Sequence, residues 1–387
     1  MPKKQEFHRI SILRIALNAQ LLNTEESYRG AGVSNYSQNL LMALGKEAGG
    51  HRFTAFVNDP NFAASNITLR RSRWPAQNPL IRIAWEQTAL PLALMQLDAA
   101  LVHGLVNVLP LTTKLPGVVT VHDLSFVRMP EKLPPAKRFY LTRLCAASVA
   151  RARRVIAISR QTADDLLDCF GVEAGKIEIV YNGVAENFSP GPVVETEEFR
   201  ISAGLPERFL LYLGTLEPRK NLARLIDGYA RWREIDPAAQ GVALVLAGGK
   251  GWYYDEIFQR VHDWGLEDVV HFPGFIPSAQ LPHWYRAAAA FVYPSLFEGF
   301  GLPVAEAMAC GTPVICSDAA SLLEVAGDAA LTFPAADTDG LVQALRTLFA
   351  QPAVGAYLAQ RGLARSSRFT WQRAAQQTLA VYADALK

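Results

Sequence analysis

The amino-acid sequence predicts an α/β chain built as two doubly wound, Rossmann-like lobes, one following the other. Three observations carry that prediction. Short apolar runs without polar alternation recur along the chain, as strands covered on both faces of a parallel sheet require. Segments of helical period lie between them, which is the rhythm of βα repeats. The rhythm breaks once, in a turn- and proline-rich stretch at 182–200, and then restarts.

In the first half the strand-like runs are 10–17, 53–57, 99–103, 117–122 and 155–159. Helical segments fall at 33–44, 136–150 and 162–169, the last with Ser159 or Thr162 as its cap. Asn182-Gly183 is a turn signal, and Ser189-Pro190-Gly191-Pro192 with the acidic Glu195, Glu197 and Glu198 predicts an inter-lobe linker. Beyond it, strands are expected at 209–213, 242–246, 269–272, 290–293 and 314–316, and helices at 223–232, 254–264, 304–310 and 338–349. A clean helical period over 371–386 ends the chain. The expected organisation is a first lobe at 1–187, a second at 188–368, and a terminal helix within 369–387.

Composition narrows the function classes. With 387 residues, half of them hydrophobic, there is material for two packed cores, and 19% charged residues argues against disorder. A net charge of +2 does not suggest a dedicated nucleic-acid binder. The local basic clusters Lys3-Lys4, Arg70-Arg71-Ser72-Arg73 and Arg151-Ala152-Arg153-Arg154 read as solvated faces, or more sharply as a surface for anionic lipid headgroups. Cys145, Cys169, Cys310 and Cys316 form no CxxC pair, so reduced buried thiols and no structural metal are expected. The polar opening from Met1 to Glu6 predicts no secretory signal. The most apolar stretch, 89–111, is broken by Asp98, His103, Asn107 and Pro110 and predicts no membrane span. These features together predict a cytoplasmic protein, soluble or peripheral on the inner face of the membrane.

The most chemical stretch runs from Tyr293 through Glu298-Gly299-Phe300-Gly301-Leu302-Pro303 to Glu306. A strand ends at Pro294, and a glycine-punctuated loop leads into a helix that Pro303 opens. Gly299 and Gly301 let backbone amides approach a ligand in front of a helix N-terminus. Glu298 and Glu306 supply carboxylates for vicinal hydroxyls such as those of a ribose. A second constellation, Gly214-Thr215-Leu216-Glu217-Pro218-Arg219-Lys220-Asn221, follows another strand and places two cations where a helix dipole disfavours them, so an anionic partner is expected. In the first half, His122 closes the strand-like run 117–122, at the end where open α/β sheets bind ligands. His103 ends another run and is a weaker candidate. Gly30-Ala31-Gly32 precedes Asn35, where a dinucleotide fingerprint needs its third glycine.

The Glu298-to-Glu306 frame resembles the Glu-x7-Glu signature of the family-4 retaining glycosyltransferases, whose fold is GT-B: two Rossmann-like lobes facing across a cleft. The resemblance implies that Glu298 lies by the donor sugar and Glu306 on the ribose, with Gly299, Phe300, Gly301 and Leu302 offering amides to sugar and phosphate. It implies that Lys220 binds the donor diphosphate. Thr215 stands where the family carries an arginine, and Arg219 is expected to supply that charge. His122 would face the donor sugar, Gly32 and Gly30 the donor phosphate, and Phe275, in the 270–275 segment, the nucleotide base. Residues 82–87 correspond to a helix that handles acceptor, and the terminal helix to one that crosses back onto the first lobe.

The implied mechanism is a same-face substitution in which the leaving diphosphate helps deprotonate the acceptor hydroxyl. Asp123 is the nearest first-lobe carboxylate for the competing double displacement, and it points opposite to His122 if the strand continues. The Gly-Thr-Leu-Glu-Pro-Arg-Lys-Asn wording resembles bacterial mannosyl- and rhamnosyltransferases of surface polysaccharide, including lipopolysaccharide, assembly. That implies GDP-mannose as donor, a glycan or polyprenyl-linked glycan as acceptor, and no metal or other cofactor. UDP-, dTDP- or GDP-deoxysugar donors, a non-transferring nucleotide-sugar enzyme such as an epimerase, and an NAD-dependent oxidoreductase are the alternatives. The incomplete glycine fingerprint argues against the last.

Overall fold

The computed structural model describes residues 12–25, 31–76 and 78–387. The first lobe contains β1 (Arg14–Ala19), β2 (Arg52–Val57), β3 (Ile67–Arg71), β4 (Leu101–Gly104), β5 (Gly117–Val121), β6 (Arg154–Ala157) and β7 (Ile177–Ile179). These form one parallel sheet in the order β3-β2-β1-β4-β5-β6-β7. The second contains β8 (Arg208–Leu213), β9 (Val242–Ala247), β10 (Val270–Gly274), β11 (Ala290–Tyr293), β12 (Val314–Ser317) and β13 (Ala330–Phe333), ordered β10-β9-β8-β11-β12-β13 and again parallel. The predicted fold class is therefore the observed one.

In each sheet the strand order reverses beside the lobe's own first strand, between β1 and β4 and between β8 and β11. Crossover helices leave opposite faces on either side of such a point, so a crevice opens at the carboxyl ends of the strands there. The chemical loops occupy these positions: residues 105–107 follow β4, and 214–220 and 294–301 follow β8 and β11.

Three strands absent from the sequence reading, β3, β7 and β13, are all sheet edges. Their burial is partial and mixed, so their sequences lack the continuous apolar run of a central strand. Arg70 and Arg71 of the basic cluster lie on β3. The expected linker also differs, because Val193–Ser202 is an α-helix that Pro192 precedes and that packs on the helix Leu281–Ala287. Its Phe199 stacks on His283 at 5.0 Å. The short helices Ala89–Met95, Ser125–Arg128 and Ala320–Ala326 and the longer Pro352–Ser366 complete the layers.

One apolar cluster fills one face of the first sheet and continues into the second lobe through Phe369, Trp371, Tyr382 and Ala385. The other face of the first sheet has its own core, around Trp85, Leu90, Val121 and Cys145. The terminal helix, Trp371–Ala385, packs on the helix Ala31–Lys46 and on β5 and β6. Its Tyr382 hydroxyl lies 2.7 Å from Nδ1 of His103, whose Nε2 is 2.9 Å from the Thr120 hydroxyl. His103 is wholly buried, and burial pushes its pKa down to about 3. It is a neutral structural histidine, not a cleft residue. Cys145, Cys310 and Cys316 are buried free thiols, and Cys169 is partly exposed. Among the described residues, no helix is long and apolar enough to cross a membrane.

Candidate active site

The loop from Pro294 to Gly301 is held in place by the 214–221 loop beside it. Leu296 N donates to Arg219 O, and Asn221 Nδ2 donates to Pro294 O and Ala335 O. Asn221 has φ of +58°, a left-handed conformation that asparagine tolerates better than most residues, and it lets the chain turn from a short 3-10 turn into the helix Leu222–Ile235. Arg219 and Lys220 therefore sit in that turn and not in the helix, and they point at carboxylates instead of along a helix dipole.

The Lys220 ammonium is buried and donates to Glu298 Oε1 at 2.6 Å and to the Tyr293 hydroxyl at 2.8 Å. Ser295 Oγ also donates to Glu298. Arg219 donates to Glu217 Oε1 at 3.0 Å and to Phe297 O at 3.1 Å, and its NH1 lies 3.6 Å from Glu298 Oε2. Burial opposes charge on both partners, yet the cluster overcomes it. Lys220 and Arg219 hold the Glu298 carboxyl below its usual range, and Glu298, Asp123 and Glu217 keep Arg219 protonated beyond the usual guanidinium.

Glu306, on the helix Leu302–Ala309, has no cation beside it. Burial raises its pKa to about 8, with the Tyr285 hydroxyl, 3.0 Å from Oε2, working the other way. The two glutamates thus stand in opposite states near neutral pH, Glu298 ionised and Glu306 partly protonated.

Across the lobe boundary, β5 ends at Val121 and the chain turns. His122 Nε2 donates to Leu105 O at 2.9 Å, and Tyr36 packs edge-on against its ring at 4.6 Å. A carbonyl only accepts, so Nε2 carries the hydrogen; burial lowers the pKa of the ring, leaving Nδ1 as an acceptor. Asp123 lies just beyond the end of β5. The strand does not continue, and its Oδ1 accepts from Ser125 N while Oδ2 comes within 3.9 Å of Arg219 in the other lobe.

Gly299 and Gly301 also pack closely against protein. A Cβ on Gly299 would stand 1.9 Å from His122 O, and one on Gly301, at φ +100°, would meet Leu322 at 2.4 Å. What approaches these positions is protein: Gly299 lets the second lobe's loop close on the first. Thr162 Oγ1 lies 3.4 Å from both His122 O and Gly299 O. Phe300 does not face the cleft with its side chain, which is buried against Phe369 and Tyr181. Leu302 is half-buried at the first position of its helix.

Thr215 lies beside Gly251, and its carbonyl accepts from the Tyr212 hydroxyl at 3.1 Å. Phe275 is half-buried just beyond Gly274 at the outer edge of the second sheet, separate from the Glu298 cluster by the width of β9 and β8. Gly32 is exposed in the first turn of its helix, and among the described residues nothing lies within 4 Å of a Cβ there. Tyr28, Arg29 and Gly30 fall outside the described residues, as do Lys3 and Lys4. The structure thus brings Asp123, Glu217, Arg219, Lys220 and Glu298 into one cluster, with the backbone carbonyl of His122 beside Gly299 of the same loop. Glu217 and Tyr293, which the sequence reading left out, sit beside residues it chose. A buried acid between a strand end and two cations was the available signal.

Two family models cover most of the chain: "Glycosyltransferase Family 4" matches residues 30–188 and "Glycosyl transferases group 1" matches 194–365. The chain is 31% identical over 272 residues to an O-antigen chain mannosyltransferase B of Escherichia coli, spanning 69% of this chain and 70% of that protein. It is 30% identical over 289 residues to a D-inositol 3-phosphate glycosyltransferase of Kribbella flavida, spanning 70% of this chain and 66% of the relative. Sucrose-phosphate synthase from Thermosynechococcus elongatus shares the fold, with a TM-score of 0.76 at 24% identity over 96% of this chain and 98% of that one. The matched lobes, the kinship with the mannosyltransferase and the common fold make this chain a family-4 glycosyltransferase of GT-B architecture.

Proposed function

We propose that the chain is a retaining, metal-independent hexosyltransferase that moves mannose from GDP-mannose to a saccharide or lipid-linked saccharide in surface polysaccharide synthesis. The observation that carries the reading is the buried Glu298–Lys220–Arg219 cluster lying against His122 of the opposite lobe. Arg219 and Lys220 take the charge that appears on the diphosphate as the glycosidic bond breaks, the part a divalent cation plays elsewhere. Glu298 and His122 Nδ1 accept hydrogen bonds from hydroxyls of the transferred sugar and so fix it while positive charge develops at its anomeric carbon. The departing diphosphate oxygen receives the acceptor's proton on the same face. Lobe closure at Gly299 excludes water, the competing acceptor.

Glu306 accepts from the ribose hydroxyls, and the amides of 299–302 serve the sugar and phosphates. Thr215, Phe275 and Gly32 remain as donor contacts, Phe275 for the base. Kinship with a mannosyltransferase supports mannose over other hexoses. Resting on the inner membrane face through the basic clusters is part of the same proposal.

The deciding experiment is calorimetric titration of the protein with GDP, UDP, ADP and dTDP, alongside Glu306→Ala. GDP binding that the variant loses supports the reading. UDP binding redirects the donor to other sugars. No binding, or an unchanged variant, removes the assigned pocket.

A further inference from the structure

The second lobe touches the first on both sides of the Glu298 cluster. In the second sheet β8 and β11, whose loops carry that cluster, lie between β9 and β12. Beyond β12, on the helix Ala320–Ala326, Glu324 accepts from Arg160 N at 2.9 Å and from the Tyr181 hydroxyl at 2.7 Å, both of the first lobe. Beyond β9, on the other side, Trp252 reaches across. Its Nε1 donates to Lys132 O at 2.6 Å, and its ring packs on the first lobe's own core, the one around Trp85, Val121 and Cys145. The Lys137 ammonium lies 4.7 Å from the centre of that ring, within reach of its negative face.

The backbone around Trp252 is built to present it. Leu216 N donates to Gly249 O at 2.9 Å, and Gly251 N donates to Leu216 O at 3.0 Å. A Cβ on Gly248 would stand 1.9 Å from Gly214 O, and one on Gly251 would stand 2.8 Å from Leu216 O and from Thr215 Cγ2. Residues 248–251 are therefore seated on 214–216 with no room between them, and the two segments move as one piece. Tyr253, which follows, is 62% exposed and has φ of +54°. A bulky residue in the left-handed region is unfavourable and persists only where its surroundings hold it. The Tyr253 ring stands largely in solvent, so this turn serves its neighbour Trp252.

The receiving side is equally particular. Lys137 lies in the first turn of the helix Pro135–Arg151, where the dipole disfavours a cation. Burial lowers the pKa of its ammonium, while Glu217 of the second lobe and Asp123 of the first act the other way. The ring face of Trp252 and these two carboxylates thus hold the charge where it is.

Leu216 leads directly into Glu217, Arg219 and Lys220, so the seat of Trp252 on the first lobe fixes where the two cations stand over Asp123. We propose that Trp252 is a positioning residue, the clasp that closes the cleft on the side away from Glu324 and sets the Arg219–Lys220 turn against the first lobe. It acts through that turn and needs no contact with donor or acceptor. With Trp252 released, the lobes pivot about the Glu324 contact and the terminal helix, and the 3.9 Å approach of Arg219 to Asp123 is lost.

The test follows the full chain by small-angle X-ray scattering, with and without GDP, in the parent, Trp252→Ala, Trp252→Phe and Lys137→Met. The parent with GDP should scatter as the closed arrangement, and Trp252→Ala should have the larger radius of gyration in both conditions. Phenylalanine keeps a ring face and loses the Nε1 donor, and methionine keeps the stem and loses the charge, so both variants fall between. Circular dichroism checks the fold of each, and Trp252→Phe serves if Trp252→Ala is unstable. Turnover of GDP-mannose with methyl α-mannoside as acceptor gives the second readout. In Trp252→Ala kcat should fall about a hundredfold, the order that a misplacement of about 1 Å costs. GDP affinity by calorimetry should change less than about threefold. Equal radii in the parent and the Trp252 variants, or a parent with GDP as extended as Trp252→Ala, overturns the inference. GDP affinity lost as steeply as turnover also overturns it, and makes Trp252 a donor contact. The turnover readout rests on the transferase reading and the scattering does not. A parent that neither binds GDP nor turns over GDP-mannose overturns the donor reading, and the radii alone then decide the clasp.

Discussion

Glu298 and Glu306 are eight residues apart and nearly equally buried, and they differ in what stands beside them. Lys220 and Arg219 hold the first ionised, while burial, partly offset by the Tyr285 hydroxyl, raises the second to about 8. For a carboxyl raised from about 4.5 when unfolded, the folded chain binds more protons between those values, so stability is present below pH 4.5 and declines toward pH 8. Glu306→Gln should therefore gain melting temperature relative to the parent as pH rises from 5 to 8, and parallel thermal scans check this. If ribose hydroxyls donate to Glu306, nucleotide binding releases a proton below pH 8 and tightens as pH rises from 6 to 8.5. Calorimetry in two buffers of different ionisation enthalpy measures both. At Gly299 the constraint is steric. Gly299→Ala places a methyl group 1.9 Å from His122 O, so the loop must retreat. A misplacement of about 1 Å at a reacting centre costs about a hundredfold in rate, and steady-state turnover should fall by that order while the chain stays folded.

At the scale of an element, the 3-10 turn Pro218–Lys220 decides where the two cations point, and Asn221 is the hinge of that turn. Its side chain also joins the turn to Pro294 and Ala335. Asn221→Ala loses both hydrogen bonds and the residue that tolerates positive φ, so a loss of about 2 kcal/mol is expected in denaturant melts. Activity should fall further than stability, because Arg219 is aimed by the same turn. Asn221→Gly, which restores the backbone freedom alone, should recover only part of both. The elements missed in the sequence share a cause with this turn. The edge strands and the helix Val193–Ser202 take their form from neighbours distant in sequence, and local periodicity does not record these.

For the whole molecule, the terminal helix makes the two lobes one body. It leaves the second lobe beside Gly183, where a Cβ would meet Trp371 N at 2.1 Å, and lies along the first lobe as far as Tyr382 and Ala385. Tyr382→Phe removes the partner of His103 Nδ1 and should cost about 1–3 kcal/mol by thermal melting. The His103 pKa is about 3 folded against 6.5 unfolded, so the unfolded chain binds the extra proton between those values. Stability is thus complete above pH 6.5 and lost as pH falls toward 3, and His103→Asn should flatten that part of the acid profile.

The sequence by itself determined the architecture and the identity of the chemical loops. A strand covered on both faces must be apolar throughout, and a loop that ends a strand and opens a helix must carry its turn residues in order. Both requirements are local, so 209–213, 242–246 and the 293–306 frame could be read directly. Tertiary structure alone decided what each of those residues meets. Phe300 turned into the Tyr181–Phe369 cluster and Gly299 against the opposite lobe; His103 on β4 pairs with Tyr382 of the terminal helix, 279 residues away. Asn18 and Glu86, 68 residues apart, became a buried pair. Such encounters depend on sheet order and lobe closure, which are settled by summed packing across the chain and leave no period in the sequence.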